Sequence, residues 1–188
     1  MSKAAVEYCA SRGVSESTAL KFGLMQSNCC RYLIIPVRNK EGNDLFFAGR
    51  KMFYGGHIGR YKYYGQLDRT VLFGMDIVDF SLDRVILVEG FFDVMTAYEN
   101  GYTNVVANIG SATVGQPSWE PKATYLASLF QRVDVAFDGF PGGHPQQKAA
   151  VEFFRGLGTI SDEIILPTGT DPAMLSKAQM LQYFGNPI

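Results

Sequence analysis

The second half of the chain alternates between short apolar runs and segments with helical periodicity, and this alternation constrains the fold more than any other feature. The run RVILV at 84–88 predicts a buried strand, and the next segment, FFDVMTAYEN, has apolar side chains at helical spacing until Gly101. The runs NVVAN and RVDVAF predict two more strands, each followed by a helical pattern, at about 119–130 and 145–155. The run EIILP predicts a fourth strand before a last helix after Pro172. Repeated strand and helix units predict a mostly parallel sheet with helices on both faces.

The first 75 residues have a different pattern. Helices are predicted around residues 3–11 and 15–22, and two apolar runs joined by Glu41-Gly42-Asn43 then predict an antiparallel hairpin. Shorter strands are predicted at RYKYYG and TVLFG. We therefore predict an α/β protein in two parts, a small α+β subdomain over residues 1–78 and a parallel-sheet domain over residues 79–188.

Charge is distributed unevenly between these two parts. Residues 1–75 contain 11 Lys and Arg against 5 Asp and Glu, whereas residues 76–188 contain 6 against 13. This asymmetry indicates a basic surface for a polyanion and an acidic site that could hold cations. Chance segregation of solvated surface charges is the alternative explanation.

The sequence has no feature of a secreted or membrane protein. It lacks a run of about 18 apolar residues, and its amino terminus lacks the apolar core of a secretory signal. The three cysteines, Cys9, Cys29 and Cys30, do not have the spacing of a zinc site. We expect reduced cysteines, a cytoplasmic location and no membrane contact.

Acidic residues follow the predicted strands. Glu89 and Asp138 come directly after strands, Asp93 lies one helical turn beyond Glu89, and Asp171 comes shortly after the fourth predicted strand. Ligands of such sheets bind beyond the carboxyl ends of the strands, so these carboxylates are expected to converge at one edge. Taken singly, Asp93 is explained equally well as a residue that complements the helix dipole, and Asp171 is better explained as a helix N-cap.

Several segments together resemble a known family. In order and spacing, VEGFFDV, NIGSAT, VAFDGFPGGHPQQKAA and LPTGTDP resemble the TOPRIM domain of DnaG-type bacterial and phage primases. The upstream segments SRGVSESTALKFGL, RYLIIPVRNKEG, FFAGRKM, YKYYG and TVLFG are similar to blocks of that family's basic subdomain. The resemblance extends over nearly the whole chain and implies a Rossmann-like TOPRIM sheet preceded by an α+β subdomain.

The resemblance also implies a function. It implies a DNA primase core, a nucleotidyltransferase with DNA-directed RNA polymerase activity that acts in phage or bacterial DNA replication. The implied substrates are a single-stranded DNA template and nucleoside triphosphates, and the implied cofactor is Mg²⁺ or Mn²⁺. A replicative helicase or a separate zinc module would be a further partner.

Site residues follow from the same resemblance, position by position. Glu89, Asp93 and Asp138 are implied to be catalytic, and Glu89, Asp138 and Asp171 are implied to hold metal. The implied contacts to nucleic acid or nucleotide are Arg31, Arg38, Arg50, Lys51, Lys62, Gly139 and Gly142, the cations lining one groove and the glycines leaving room for phosphate.

Three positions depart from the family pattern. Phe140 and Ala173 stand where the family has second aspartates, and Met75 stands where it has a lysine. These departures leave two alternatives open. One is a TOPRIM protein that binds nucleic acid or a replication partner with weakened or absent catalysis, and the other is a TOPRIM nuclease.

Overall fold

The computed structural model describes residues 1–53, 60–68, 70–109 and 114–187, so the GSAT part of the NIGSAT segment lies outside the described residues. The first half consists of two helices and a four-stranded antiparallel sheet in the spatial order β1-β2-β3-β4. These elements are α1 (Lys3–Ala10), α2 (Glu16–Lys21), β1 (Met25–Gln26), β2 (Tyr32–Arg38), β3 (Asp44–Lys51) and β4 (Tyr61–Tyr64). The predicted helices and hairpin are confirmed.

The second half contains a three-stranded parallel sheet in the order β6-β5-β7, with helices packed on it. Its elements are β5 (Arg84–Val88), α3 (Phe91–Glu99), β6 (Val105–Ala107), α4 (Trp119–Leu129), β7 (Arg132–Val135), α5 (Pro145–Gly156), a 3₁₀ turn (Pro172–Met174) and α6 (Lys177–Phe184). The predicted α/β fold is therefore confirmed. No helix among the described residues is long and apolar enough to cross a bilayer.

Two of the predicted strands, EIILP and TVLFG, are wrong, because these segments do not form regular strands. The EIILP segment runs beside β7, but its neighbourhood forms only isolated parallel bridges, Ile160 with Arg132 and Glu163 with Val135. Side chains interrupt the ladder there: Ser161 Oγ donates to the Val133 carbonyl, and the Asp162 amide donates to an Asp134 carboxylate instead.

The TVLFG segment is the second predicted strand that does not form a regular strand. In it, Phe73 forms an isolated antiparallel bridge with Ala107 of β6. The segment therefore adds a single bridge to the parallel sheet.

The central strand β5 divides the apolar core into two clusters. Ile86 and Val88 belong to a cluster that also contains Leu33 and Phe46 of the antiparallel sheet, whereas Val85 and Leu87 belong to a cluster under α4 and α5. Alternate side chains of a strand point to opposite faces, which explains the division. The two sheets thus share one hydrophobic cluster, and the predicted domain division near residue 78 lies between elements that pack on each other.

Aromatic rings fix the antiparallel sheet against the first turn of α3. Phe22 stacks on Phe73 with ring centroids 5.6 Å apart, and Phe73 meets Phe91 edge to face at 4.9 Å. The ring of Tyr61 in β4 also lies 5.3 Å from the Phe91 ring. This packing places β3 and β4 near the carboxyl end of β5.

A buried carboxylate stabilises the opposite, amino end of the parallel sheet. Asp134 is 1% exposed and pairs with Arg84 Nε at 2.8 Å and Arg132 Nε at 2.9 Å. Removing one member of a buried ionic group leaves its partners uncompensated. We expect Asp134→Ala to lower the free energy of unfolding by about 3–5 kcal/mol in urea titrations.

The matched control for this prediction is Asp162→Ala. Asp162 also pairs with Arg132, as well as with Arg155, but its side chain is exposed. Its loss is expected to cost about 1 kcal/mol or less. Equal losses for the two variants would contradict the structural role of Asp134.

Candidate active site at the carboxyl edge of the parallel sheet

The structure brings the four predicted carboxylates to the same edge of the parallel sheet. Glu89 follows β5, and its Oε2 accepts a hydrogen bond from the Asp138 amide at 3.2 Å, although Asp138 follows a different strand, β7. Asp93 lies in the first turn of α3, and Asp171 precedes the 3₁₀ turn. The predicted convergence at the strand ends is confirmed.

Asp93 is the innermost of these carboxyl groups, with only 5% of the residue exposed. Its Oδ2 accepts a hydrogen bond from the Gly90 amide at 2.7 Å, and its Oδ1 accepts one from the Ala173 amide at 3.2 Å. Burial, together with the negative charges of Asp171 and Asp138, raises the pKa of Asp93 to about 8. Asp93 therefore joins two segments that carry the site, and its surroundings favour the protonated form of its carboxyl group.

Asp138 lies at the surface of the same edge. Partial exclusion of water by the surrounding protein, followed by the charges of Glu89 and Asp171, raises its pKa to about 6. The site thus concentrates negative charge that a cation could offset.

Asp171 contains an unpaired oxygen. Its Oδ1 is buried and has no hydrogen-bond partner among the described residues. A buried carboxylate oxygen normally has a partner, so this atom fits a cation ligand.

Within the described part of the chain, no group of three or more His, Cys, Asp or Glu side chains could by itself hold a metal ion. Mg²⁺ commonly keeps several waters and is bound by one or two carboxylates together with substrate phosphates. The residues present fit a cation held in that partial way.

Gly139 is fixed by a close contact with the segment before Asp171. Its amide donates to the Thr170 carbonyl at 2.8 Å, and its carbonyl accepts from the Gly169 amide at 2.9 Å. A Cβ atom at Gly139 would lie 1.9 Å from the Pro167 carbonyl oxygen. The close approach that requires glycine here is to the protein's own backbone.

Gly142 differs from Gly139, since a Cβ atom at Gly142 would meet open space. Its φ is +79°. Nucleotide contact by either glycine stays a prediction.

Two buried polar residues support this edge and were not predicted from the sequence. Gln147 of α5 accepts a hydrogen bond from the Phe137 amide at 2.7 Å, which fixes the segment that carries Asp138. Lys122 of α4 donates to Asn108 Oδ1 at 3.0 Å and to the Ile109 carbonyl at 2.7 Å, beyond the end of β6. Each lies on the apolar stripe of its helix, and a polar residue in such a stripe is the signal that could have identified it.

The predicted basic residues lie in different places. Arg31 directly precedes β2, Lys51 pairs with Tyr32 across β2 and β3, and Lys62 lies on the neighbouring strand β4. These three residues, with the exposed Arg60, lie at one end of the antiparallel sheet, which we name the basic end.

Arg50 and Lys62 lie on opposite faces of this sheet. Arg50 is paired with Tyr61 and Lys62 with Gly49, and successive residues of a strand alternate between faces. Arg50 Nε donates to the Tyr8 hydroxyl at 2.9 Å, and its guanidinium lies 4.9 Å from the centre of the Tyr61 ring. Lys62 Nζ lies 5.2 Å from the centre of the Tyr32 ring. The two cations therefore do not line one face of a single groove, as the sequence had predicted.

Arg38 lies apart from the basic end, and its contact with nucleic acid stays a prediction. Arg38 is the last residue of β2, so it lies at the opposite end of the sheet from Arg31. Its Nε is 2.8 Å from Asp44 Oδ1, and its Nη1 is 3.3 Å from Asp76 Oδ2. These two carboxylates offset the charge of Arg38, and the ion pairs hold its side chain at this end of the sheet.

Curated DNA primases align with most of this chain at low sequence identity. DNA primase of Aquifex aeolicus is 27% identical over 159 residues, which cover 80% of this chain and 30% of that protein. DNA primase of Lactococcus lactis is 28% identical over 156 residues, covering 77% of this chain and 23% of that protein. The chain thus spans less than a third of the length of these curated relatives. No family model matches the sequence.

Solved structures share the fold. The zinc-binding and RNA polymerase domains of Aquifex aeolicus primase superpose with a TM-score of 0.78 at 22% identity, covering 98% of this chain and 53% of that one. The catalytic domain of DnaG primase bound to single-stranded DNA gives 0.73 at 20% identity, covering 94% of this chain and 70% of that one. The chain has the fold of a DnaG-type primase core.

The departures from the primase pattern have distinct structural settings. Met75 is buried in the cluster under α4 and α5, where an unpaired lysine would be costly. Ala173 contributes its backbone amide to Asp93 and needs no side chain to do so. Phe140 is 56% exposed, two residues beyond Asp138.

The Gly139 contact predicts a strong effect of adding one methyl group. Gly139→Ala would force the backbone at 139 and 167 apart, and we expect a loss of about 2 kcal/mol or more in the free energy of unfolding. Gly156→Ala is the control, because no atom lies within 4 Å of its added Cβ and it ends helix α5. It should be neutral or stabilising by up to about 1 kcal/mol. Similar urea midpoints for the two variants would contradict the contact.

The buried Asp93 predicts a pH dependence of stability. Because its pKa rises from 3.8 to about 8 on folding, the folded state binds more protons than the unfolded state between these values. The free energy of unfolding should therefore fall as pH rises from about 4 to about 8. Asp93→Asn removes this contribution. The free energy of unfolding of the variant should therefore fall less over that range than that of wild type, with a difference on the order of a few kcal/mol.

This comparison uses the slope with pH, since Asn also loses one backbone contact and so changes the absolute stability. Urea titrations at several pH values supply the slope for both proteins. Parallel curves for wild type and Asp93→Asn would contradict the assignment.

Proposed function

We propose that this chain is the catalytic core of a DNA primase, which joins ribonucleotides into short primers on single-stranded DNA. The observation that carries the proposal is the convergence of Glu89, Asp93, Asp138 and Asp171 at one sheet edge, with an unpaired oxygen on Asp171. The named relatives and the shared fold support it. The substrates would be nucleoside triphosphates and a DNA template.

Glu89, Asp138 and Asp171 would supply carboxylate oxygens to a divalent cation, Mg²⁺ or Mn²⁺, whose remaining ligands would be water and substrate phosphates. When bound, such a cation would neutralise charge on the reacting phosphates and on the leaving pyrophosphate. The proximity of the Glu89 carboxylate to Asp138 and the unpaired oxygen of Asp171 both favour cation binding at this edge. Loss of carboxylates at 140 and 173 leaves more of the coordination to water and substrate.

The protein's own side chains would have separate tasks. Glu89 is oriented by the Asp138 amide, and we assign it to accept the proton of the attacking 3′-hydroxyl. Asp93 was predicted to be catalytic, but its burial and two backbone contacts support a positioning role instead.

The basic end of the antiparallel sheet would bind the phosphates of the template and primer. Arg31, Arg60 and Lys62 are exposed, and contacts of this kind give binding that weakens as salt rises. Arg50 lies nearer the acidic edge, through Tyr61 and its contact with Phe91. We place the protein in a bacterial or phage-infected cytoplasm, with a replicative helicase or a zinc module as a further partner.

A second candidate function is nucleic-acid binding without polymerisation. The apolar side chains of Phe140 and Ala173 favour it, since they replace two carboxylates that would strengthen cation binding. The same experiments distinguish it from primer synthesis and from cleavage by a nuclease.

Primer synthesis is tested with a single-stranded DNA template, labelled nucleoside triphosphates, and Mg²⁺ or Mn²⁺. We expect template-dependent RNA products, and a roughly hundredfold lower rate for Glu89→Gln and for Asp138→Asn, since each removes a charge aligned with the reacting groups. Asp162→Asn is the control, an exposed aspartate beside the amino end of the sheet. It should retain the wild-type rate.

Three other outcomes would reject the proposal. Equal product from wild type and both site variants would show that the carboxylates at this edge do not take part in primer synthesis. DNA binding without product would favour the binding protein. Shortening of labelled DNA in the absence of nucleotides would indicate a nuclease.

A further inference from the structure

Phe140 is an exposed aromatic residue at the acidic edge, in a turn between β7 and α5. Other large apolar side chains are also exposed on this protein, so exposure alone does not indicate a site. The location of Phe140 is what points to a site, because only Gly139 separates this residue in sequence from Asp138.

The turn that carries Phe140 is fixed on both sides. Gly139 is hydrogen-bonded through its amide and its carbonyl to the segment at 169–170, and the Phe140 carbonyl accepts the Gly143 amide at 3.0 Å. The backbone beneath the ring is therefore held in place by contacts that do not involve the ring.

The ring itself is supported from one side by other aromatic residues. It meets the His144 ring nearly edge to face, with centroids 6.1 Å apart, and His144 meets Phe137 in the same way at 5.5 Å. Phe137 is buried in the core. This series of rings links the core to the exposed Phe140 ring and restricts it on the His144 side, which reduces the side-chain freedom that a ligand would have to remove.

An aromatic side chain changes what this edge can bind. An aspartate at 140 would add negative charge beside Asp138, whose amide already lies 3.2 Å from the Glu89 carboxylate. A phenyl ring adds no charge and offers a π face, on which any base can stack. Because only Gly139 separates Phe140 from Asp138, a nucleotide with its phosphates at the carboxylate edge could place its base against this ring.

We infer that Phe140 forms a stacking surface for the base of a nucleoside triphosphate whose phosphates are held at the Glu89, Asp138 and Asp171 edge. This inference rests on the proposed function and adds to it a base contact in place of a lost carboxylate. The surface would accept different bases, because stacking does not read base edges.

A tryptophan placed at this position reports the contact directly. The native protein has one tryptophan, Trp119, which is 2% exposed. In Phe140→Trp, ATP with Mg²⁺ should quench the added indole fluorescence in a saturable way, whereas inorganic tripolyphosphate with Mg²⁺ should not. The matched control is Ile160→Trp, at a 58% exposed residue that bridges to Arg132 at the start of β7. Its fluorescence should not respond beyond absorption by ATP.

Calorimetry measures the contribution of the ring to affinity. Phe140→Ala should bind ATP with Mg²⁺ about 5- to 100-fold more weakly than wild type, while binding of tripolyphosphate should stay unchanged. Phe140→Tyr keeps an aromatic face and should retain the wild-type affinity for ATP. Thermal melts of each variant check that the turn remains folded.

The outcomes separate this inference from the proposed function. If wild type and Phe140→Ala bind ATP equally and both bind tripolyphosphate, stacking is rejected while the carboxylate edge stands. If neither ligand binds wild type, both proposals are rejected. If a thymidine oligonucleotide quenches Phe140→Trp but ATP does not, the ring contacts the template, and the inference for a triphosphate base is overturned.

Discussion

The acidic edge depends on the buried carboxyl group of Asp93. It accepts hydrogen bonds from the amides of Gly90 and Ala173, which belong to segments far apart in sequence, and so fixes the chain beside Glu89 and beside Asp171. Because both donors are backbone groups, the arrangement does not depend on the side chain at 173. The same burial, with the nearby acids, raises the pKa of Asp93, so the carboxyl group that organises the site holds its proton more tightly than an exposed aspartate does.

Packing between the two sheets brings opposite charges toward each other. The first turn of α3, which holds Asp93, also contains Phe91, and that ring contacts Tyr61 of the antiparallel sheet. Arg50 lies over the Tyr61 ring and is further held by Tyr8. One aromatic cluster thus sets the distance between a basic strand and an acidic strand end. Such proximity suits a polyanionic substrate that carries a cation at its reacting phosphate.

Much of the fold could be predicted because its signals are local. The β5 run and the helix after it have clear periodicities, and both form as expected. EIILP was wrong as a regular strand, because hydrogen bonds of Ser161 and Asp162 with β7 residues interrupt the ladder. The ion pair of Arg38 with Asp76 could not be predicted, since charge in sequence does not reveal which distant residues meet. Gln147 and Lys122 were missed, because a polar residue on an apolar stripe gains meaning only once its buried partners are known.

The sequence by itself determined the order of strands and helices, and with it the edge at which Glu89 and Asp138 meet. Parallel strands joined by helices align their carboxyl ends, so that result follows from connectivity alone. It also determined that an aromatic ring, Phe140, follows Asp138. Only the tertiary structure decided that Arg50 and Lys62 lie on opposite faces, that Asp93 is buried behind the site, and that Gly139 is required by the Pro167 backbone. These features depend on register and on packing between distant segments, which no local pattern encodes.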